Sequence, residues 1–312
     1  MNPDTINAPR GREINVEREL LTTILKAAIR SKQNGQSQKA LQLYLDNQEL
    51  LSLDLSLSID AANTFRQAGY YQTSLDVVNK SIQLHGQIKE LIHCWARIKL
   101  QLGEFTTAMR VFTQLISQGD DSFSIWFDLG VSHSRLGNLE QGLDAFNHAQ
   151  DLNPHHHITT ANRITILKDL GKLKPARNIL NQLKGAQHKN LEIQGAEAGL
   201  LMAEQNMTEA ANLLTELCNK QPENPLHWLN LAAAERGQRK TVRPDQIIRQ
   251  ALRAFPNHNE LSQAFLQSLT EMGQQNAARR LLTQINLEQI SHKDQHLFNL
   301  QFLATSYGLL TE

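Results

Sequence analysis

"WFDLGVSHSRLGNLEQGLDAFNHAQDLNP", residues 126–154, opens on Trp126 and closes on Pro154. Its apolar residues recur at helical spacing, yet Gly130, Gly137 and Gly142 interrupt the pattern. A glycine inside a helix costs about 1 kcal/mol relative to alanine. One helix would be poor. Two helices pressed together would need those small residues, with the break between them at Gly137.

The same pattern returns in "QNGQSQKALQLY", "QAGYYQTSLDVV", "QLGEFTTAMRVF" and "DLGKLKPARNIL". The glycines are Gly35, Gly69, Gly103, Gly137 and Gly171, each 34 residues after the last. Small residues follow at Ala40, Ser74, Ala108, Gly142 and Ala176. Large apolar ones follow at Tyr44, Val78, Phe112, Phe146 and Leu180. The frame continues with Gln205 in the glycine slot and ends with Gly273, Ala278 and Leu282. A fixed 34-residue period at helical spacing marks a helix–turn–helix repeat. Eight repeats start at 21, 55, 89, 123, 157, 191, 225 and 259 and fill residues 21–292.

The chain resembles the tetratricopeptide repeat family. Trp126, Leu129, Gly130, Gly142, Phe146, Ala149 and Pro154 carry the family's order and spacing, while His133 stands in the usual tyrosine slot. The resemblance implies an all-α, right-handed α-solenoid whose first helices line a concave binding face. Gly130 and its equivalents Ala28, Ala62, Ala96, Ala198 and Ala232 belong on first helices, against the small residues of the second.

Two repeats depart from the frame, and both ends of the chain lie outside it. The seventh repeat reads "ERGQRKTVRPDQ", without a glycine in the turn slot, so a longer turn and a second helix from near Pro244 are expected. Arg163 occupies a normally apolar slot in the fifth repeat. Residues 1–20 hold Pro3, Pro9 and Gly11 and read as a mobile lead-in and the start of the first helix. Residues 293–312 read as a capping helix, with Leu297, Leu300, Ala304 and Tyr307 on one face. Phe298 and Phe302 on other faces suit a seam, including self-association.

Bulk composition narrows the function. The 312 residues hold 31 Lys+Arg and 31 Asp+Glu, a net charge of +0. That balance argues against a nucleic-acid footprint or a polybasic membrane surface. Cys94 and Cys218 make no disulfide framework, and no signal sequence or membrane-length apolar run is visible. A cytoplasmic protein is expected. No GxSxG, P-loop, GxGxxG or HExxH motif occurs. His93 and Cys94 are adjacent, so on a helix they point about 100° apart and make a poor dyad. His155, His156 and His157 read as a solvated turn, His133 as an interior histidine, and Cys94 as a buried thiol. Arg236, Arg239, Lys240 and Arg243 form a basic turn. No cofactor, metal or catalytic residue is expected.

The candidate binding face holds Asp60, Asn63, Arg66, His93, Arg97, Asp128, Arg135, Asn162 and Asn230. Its alternating signs suit an extended peptide or partner helix. The lysine–asparagine–arginine pattern of chaperone-binding repeats is broken, because Ile59, Cys94, Ser124 and Asp128 stand in its slots. The chain is more similar to the repeat arm of O-linked N-acetylglucosamine transferases. That arm's asparagine ladder is matched at Asn162 and Asn230. A scaffold for a protein or peptide partner is therefore expected, the alternative being the recognition arm of a larger enzyme.

Overall fold

The computed structural model describes residues 8–274, apart from 184, 186, 240–241 and 256–257. Those residues form fifteen α-helices packed in sequential pairs, with no β-strand among them. First helices are α1 (Ala8–Gln33), α3 (Leu55–Gln67), α5 (Lys89–Gln101), α7 (Phe123–Arg135), α9 (His157–Asp169), α11 (Leu191–Ala203), α13 (Pro225–Gly237) and α15 (Asn259–Glu271). From α3 onward each begins 34 residues after the one before. Second helices are α2 (Ser37–Asp46), α4 (Tyr71–His85), α6 (Phe105–Ser117), α8 (Leu139–Leu152), α10 (Leu173–Gln182), α12 (Met207–Lys220) and α14 (Val242–Ala254). The chain divides into two compact halves, Met1–Pro154 and His155–Glu312.

Within the first half the apolar frame becomes the core. Tyr44, Phe112 and Phe146 are fully buried, as are Ala40, Ala62, Ala96 and Ala108. Gly130 has a specific reason to lack a side chain. A Cβ there would lie 2.8 Å from the ring of Phe146, inside any tolerated contact. The ring occupies the space that a first-helix side chain would need. In the second half, Ala198, Ala210, Leu214, Leu217, Ala232 and Ile248 form the matching core.

The eight turn slots share one backbone conformation. Gly35, Gly69, Gly103, Gly137, Gly171 and Gly273 have positive φ, and so do Gln205 (φ 64) and Arg239 (φ 61). In each resolved case the next residue's N–H reaches back five positions, as in Tyr70 to Phe65 (2.8 Å) and Asn206 to Leu201 (2.8 Å). This satisfies carbonyls that the helix end leaves open. The geometry persists without glycine because the packed helices on either side fix the turn. An L-residue there is strained by about 1 kcal/mol. Gln205→Gly and Arg239→Gly are each expected to raise stability by about that amount, measured by chemical denaturation. A loss of stability at both would mean that the side chains, not the backbone, hold these turns.

The lead-in is helical from Ala8, with Pro9 in the first turn, where its missing N–H leaves no bond unmade. The seventh repeat's second helix starts at Val242, ahead of the expected Pro244, and Pro244 again falls in a first turn. In the fifth repeat α10 has 10 residues, against 14 in α8 and α12. It stops where Leu183 turns extended. The second helix of the eighth repeat and the capping helix over 293–312 lie outside the described residues.

Candidate functional site

In the first half, α3, α5 and α7 bring six of the named residues onto one face. Asp128, 6% exposed, is the hub. His93 Nε2 is 3.0 Å from its Oδ2 and Arg97 Nε is 3.2 Å from the same oxygen. The two donors sit one turn apart on α5, which is the i, i+4 spacing that puts side chains on one face. His93 also stands edge-on to Phe112, with ring centroids 5.8 Å apart. Arg66 is close enough to Arg97 and Asp128 to feel both charges. Burial first, then repulsion from Arg97, lowers its basicity. Asp60 is held by Lys32 Nζ and by the Tyr44 hydroxyl. Burial and that carboxylate push the Tyr44 phenol strongly upward. Asn63 donates through Nδ2 to the Ile59 carbonyl at 3.0 Å. Arg135 is exposed at the end of α7, apart from this cluster.

Cys94 leaves the polar face. It is 3% exposed and packs with Ala62, Leu75, Val78 and Ile98. Burial raises its thiol to about 11, so it is neutral and unreactive near neutral pH. His93 faces Asp128 instead, so the adjacent pair forms no dyad.

In the second half, Asn162 and Asn230 line one groove of about 400 Å³, floored by Gly195, Ala196 and Gly199 of α11. Thr165 and Lys168 of α9 and His227 of α13 add polar groups to the walls. The glycines matter because they have no side chains and so leave the floor open. A Cβ on Gly195 or Gly199 would meet its nearest neighbour at 3.7 or 3.8 Å, an ordinary contact distance. Ala196 sits between the two asparagines in the frame, so the ladder of amides is interrupted there.

Sequence reasoning missed several partners. His156, read as a solvated turn, is the N-cap of α9. Its Nδ1 accepts from the Thr159 N–H at 3.2 Å. Asp54, Asn190 and Asn224 cap α3, α11 and α13 in the same slot, so the frame itself held that signal. The basic turn is partly neutralised, with Arg243 Nε 3.0 Å from Glu235, which is 2% exposed. Lys240 lies outside the described residues. No described helix is long and apolar enough to cross a membrane.

Three histidines give a pH dependence with a definite sign. Burial lowers the basicity of His133, His156 and His227 below the ordinary 6.5. The unfolded chain then binds their protons more strongly than the folded one. Their contribution is whole above 6.5 and is lost as pH falls through the lowered folded values. The melting temperature is expected to drop between about pH 7.5 and about pH 5.5, across the range where histidine titrates. His156→Asn keeps a capping acceptor that cannot titrate, so it should flatten part of this slope. An unchanged slope would remove His156 from the account.

The family model of the tetratricopeptide repeat matches residues 95–157. No curated protein matches the chain. Among solved structures it is similar to a tetratricopeptide repeat protein from Parabacteroides merdae ATCC 43184, at 15% identity over 80% of this chain and 97% of that one, with TM-score 0.63. It is also similar to yeast Tom70, at 14% identity over 88% and 59% of the two chains, with TM-score 0.61. Human IFIT1, solved as a dimer with PPP-AAAA, gives 16% identity over 90% and 70%, with TM-score 0.61. Identities this low establish the shared fold alone.

Proposed function

We propose that this tetratricopeptide repeat chain is a non-enzymatic scaffold that binds a protein or peptide segment along its first-helix faces. Repeats of this kind are generally protein-interaction modules. The observation that carries the reading is the groove over α11. Its floor carries only the small residues Gly195, Ala196 and Gly199, and its walls offer Asn162, Thr165 and Asn230. Amides can donate to and accept from the backbone of an extended segment, whatever its sequence. The face is polar and mixed, and the chain is neutral overall, which suits a protein partner better than a nucleic acid.

A photo-reactive residue placed at Asn162 or at Asn230 tests this in the cell of origin. Both positions are expected to capture the same protein, identified by mass spectrometry. The same probe at Glu216, on the exposed side of α12, is expected to capture none of it. Equal capture from all three positions, or none from the groove, would sink the reading.

A further inference from the structure

The cluster of Lys32, Asp60, Arg66, His93, Arg97 and Asp128 carries one guanidinium more than its two carboxylates match. Lys32 is matched by Asp60. Arg97 and His93 share Asp128. Arg66 makes no ion pair, and its Nε is buried without a hydrogen-bond partner among the described residues. One turn earlier on α3, Asn63 leaves Oδ1 buried and unpartnered as well. A buried polar group left unsatisfied costs about 1–3 kcal/mol. Asp128 cannot neutralise Arg66 fully, because the same oxygen already holds His93 and Arg97.

We propose that Arg66 and Arg97 receive a single side-chain carboxylate, from Asp or Glu, of a peptide lying across α3, α5 and α7. This rests on the scaffold reading and specifies the partner's chemistry. The surplus is one positive charge, so a monoanion balances it. A phosphate would bring close to two negative charges beside the fixed carboxylate of Asp128. Guanidinium and carboxylate match in shape and make strong charge-assisted bonds. Asn63 keeps its Nδ2 on the Ile59 carbonyl, and its unpartnered Oδ1 can accept from a backbone N–H of the same peptide.

Two short alanine-based peptides, acetylated and amidated, test the assignment with the full chain. One has a central Glu and the other a central Gln. The Nε–H resonances of Arg66 and Arg97 are followed by NMR at millimolar peptide. The Glu peptide is expected to shift both resonances saturably, and the Gln peptide to bind about tenfold more weakly. Arg66→Gln should erase that preference while its melting temperature stays level or rises, since it removes an unpartnered buried charge. A merely structural Arg66 would lower it. Equal binding of the two peptides, or a Glu preference that survives Arg66→Gln, overturns the inference. So does binding of neither peptide. Tighter binding of a phosphoserine peptide overturns the monocarboxylate assignment. The scaffold reading is judged separately, by the crosslinks at Asn162 and Asn230 in the other half.

Discussion

A Gly195→Gln, Gly199→Gln variant is expected to be more stable than the native chain and to lose binding in the groove of the second half. Both glycines lie inside α11, where each costs about 1 kcal/mol relative to a good helix former. Space does not forbid side chains, because the nearest atoms to the added Cβ positions are at 3.7 Å (His227) and 3.8 Å (Lys168). Both substitutions are therefore expected to add stability, together about 1–2 kcal/mol. They also put two long side chains onto the floor of a groove of about 400 Å³. Denaturation would measure the first effect, and loss of the photo-crosslink from Asn162 the second. A destabilised variant would show that the floor is needed for close packing. A stable variant that still binds would move the binding site elsewhere.

Gly130→Ala is expected to act with the opposite sign. The same propensity gain of about 1 kcal/mol is available. Here, however, the new Cβ would sit 2.8–3.0 Å from three atoms of the Phe146 ring. That ring is 1% exposed and packs against Phe127, with centroids 5.6 Å apart. It has nowhere to retreat. Overpacking of this kind costs about 1–3 kcal/mol, so a net loss of stability is expected. Phe146→Leu alone should also destabilise, by opening a void. The double variant reproduces the Ala198 and Leu214 pair of the sixth repeat, both fully buried. It should be more stable than the sum of the single changes, by about 1 kcal/mol or more in a double-mutant cycle. Strict additivity would mean that Gly130 and Phe146 do not compete for one space.

Gly130, Gly195 and Gly199 all lie on first helices, but only Gly130 stands in the frame's small-residue slot. Gly195 and Gly199 stand where the fourth repeat has Phe127 and Val131, and periodicity gives no reason for them. Whether the absent side chain makes room for a core ring or for a ligand depends on the neighbouring helix. The candidate residues divide in the same way. Asp128 and Arg97 stand in different frame positions of successive repeats, and no periodic rule pairs them. They meet across the contact between α5 and α7. The orphaned Nε of Arg66 is a consequence of that meeting.

Read alone, the sequence carries the 34-residue frame and the all-α repeat fold. Helix period and turn chemistry are local, and identical spacing in each repeat multiplies the signal. It also marked Gln205 as standing in a glycine slot. Tertiary structure alone decided that Gln205 and Arg239 take the left-handed turn conformation, because the packed helices outweigh the preference of those residues. It also decided that His156 caps α9, that Cys94 turns into the core while His93 turns to Asp128, and which charges are left unmatched. Those outcomes depend on distances between helices, which no spacing along one chain encodes.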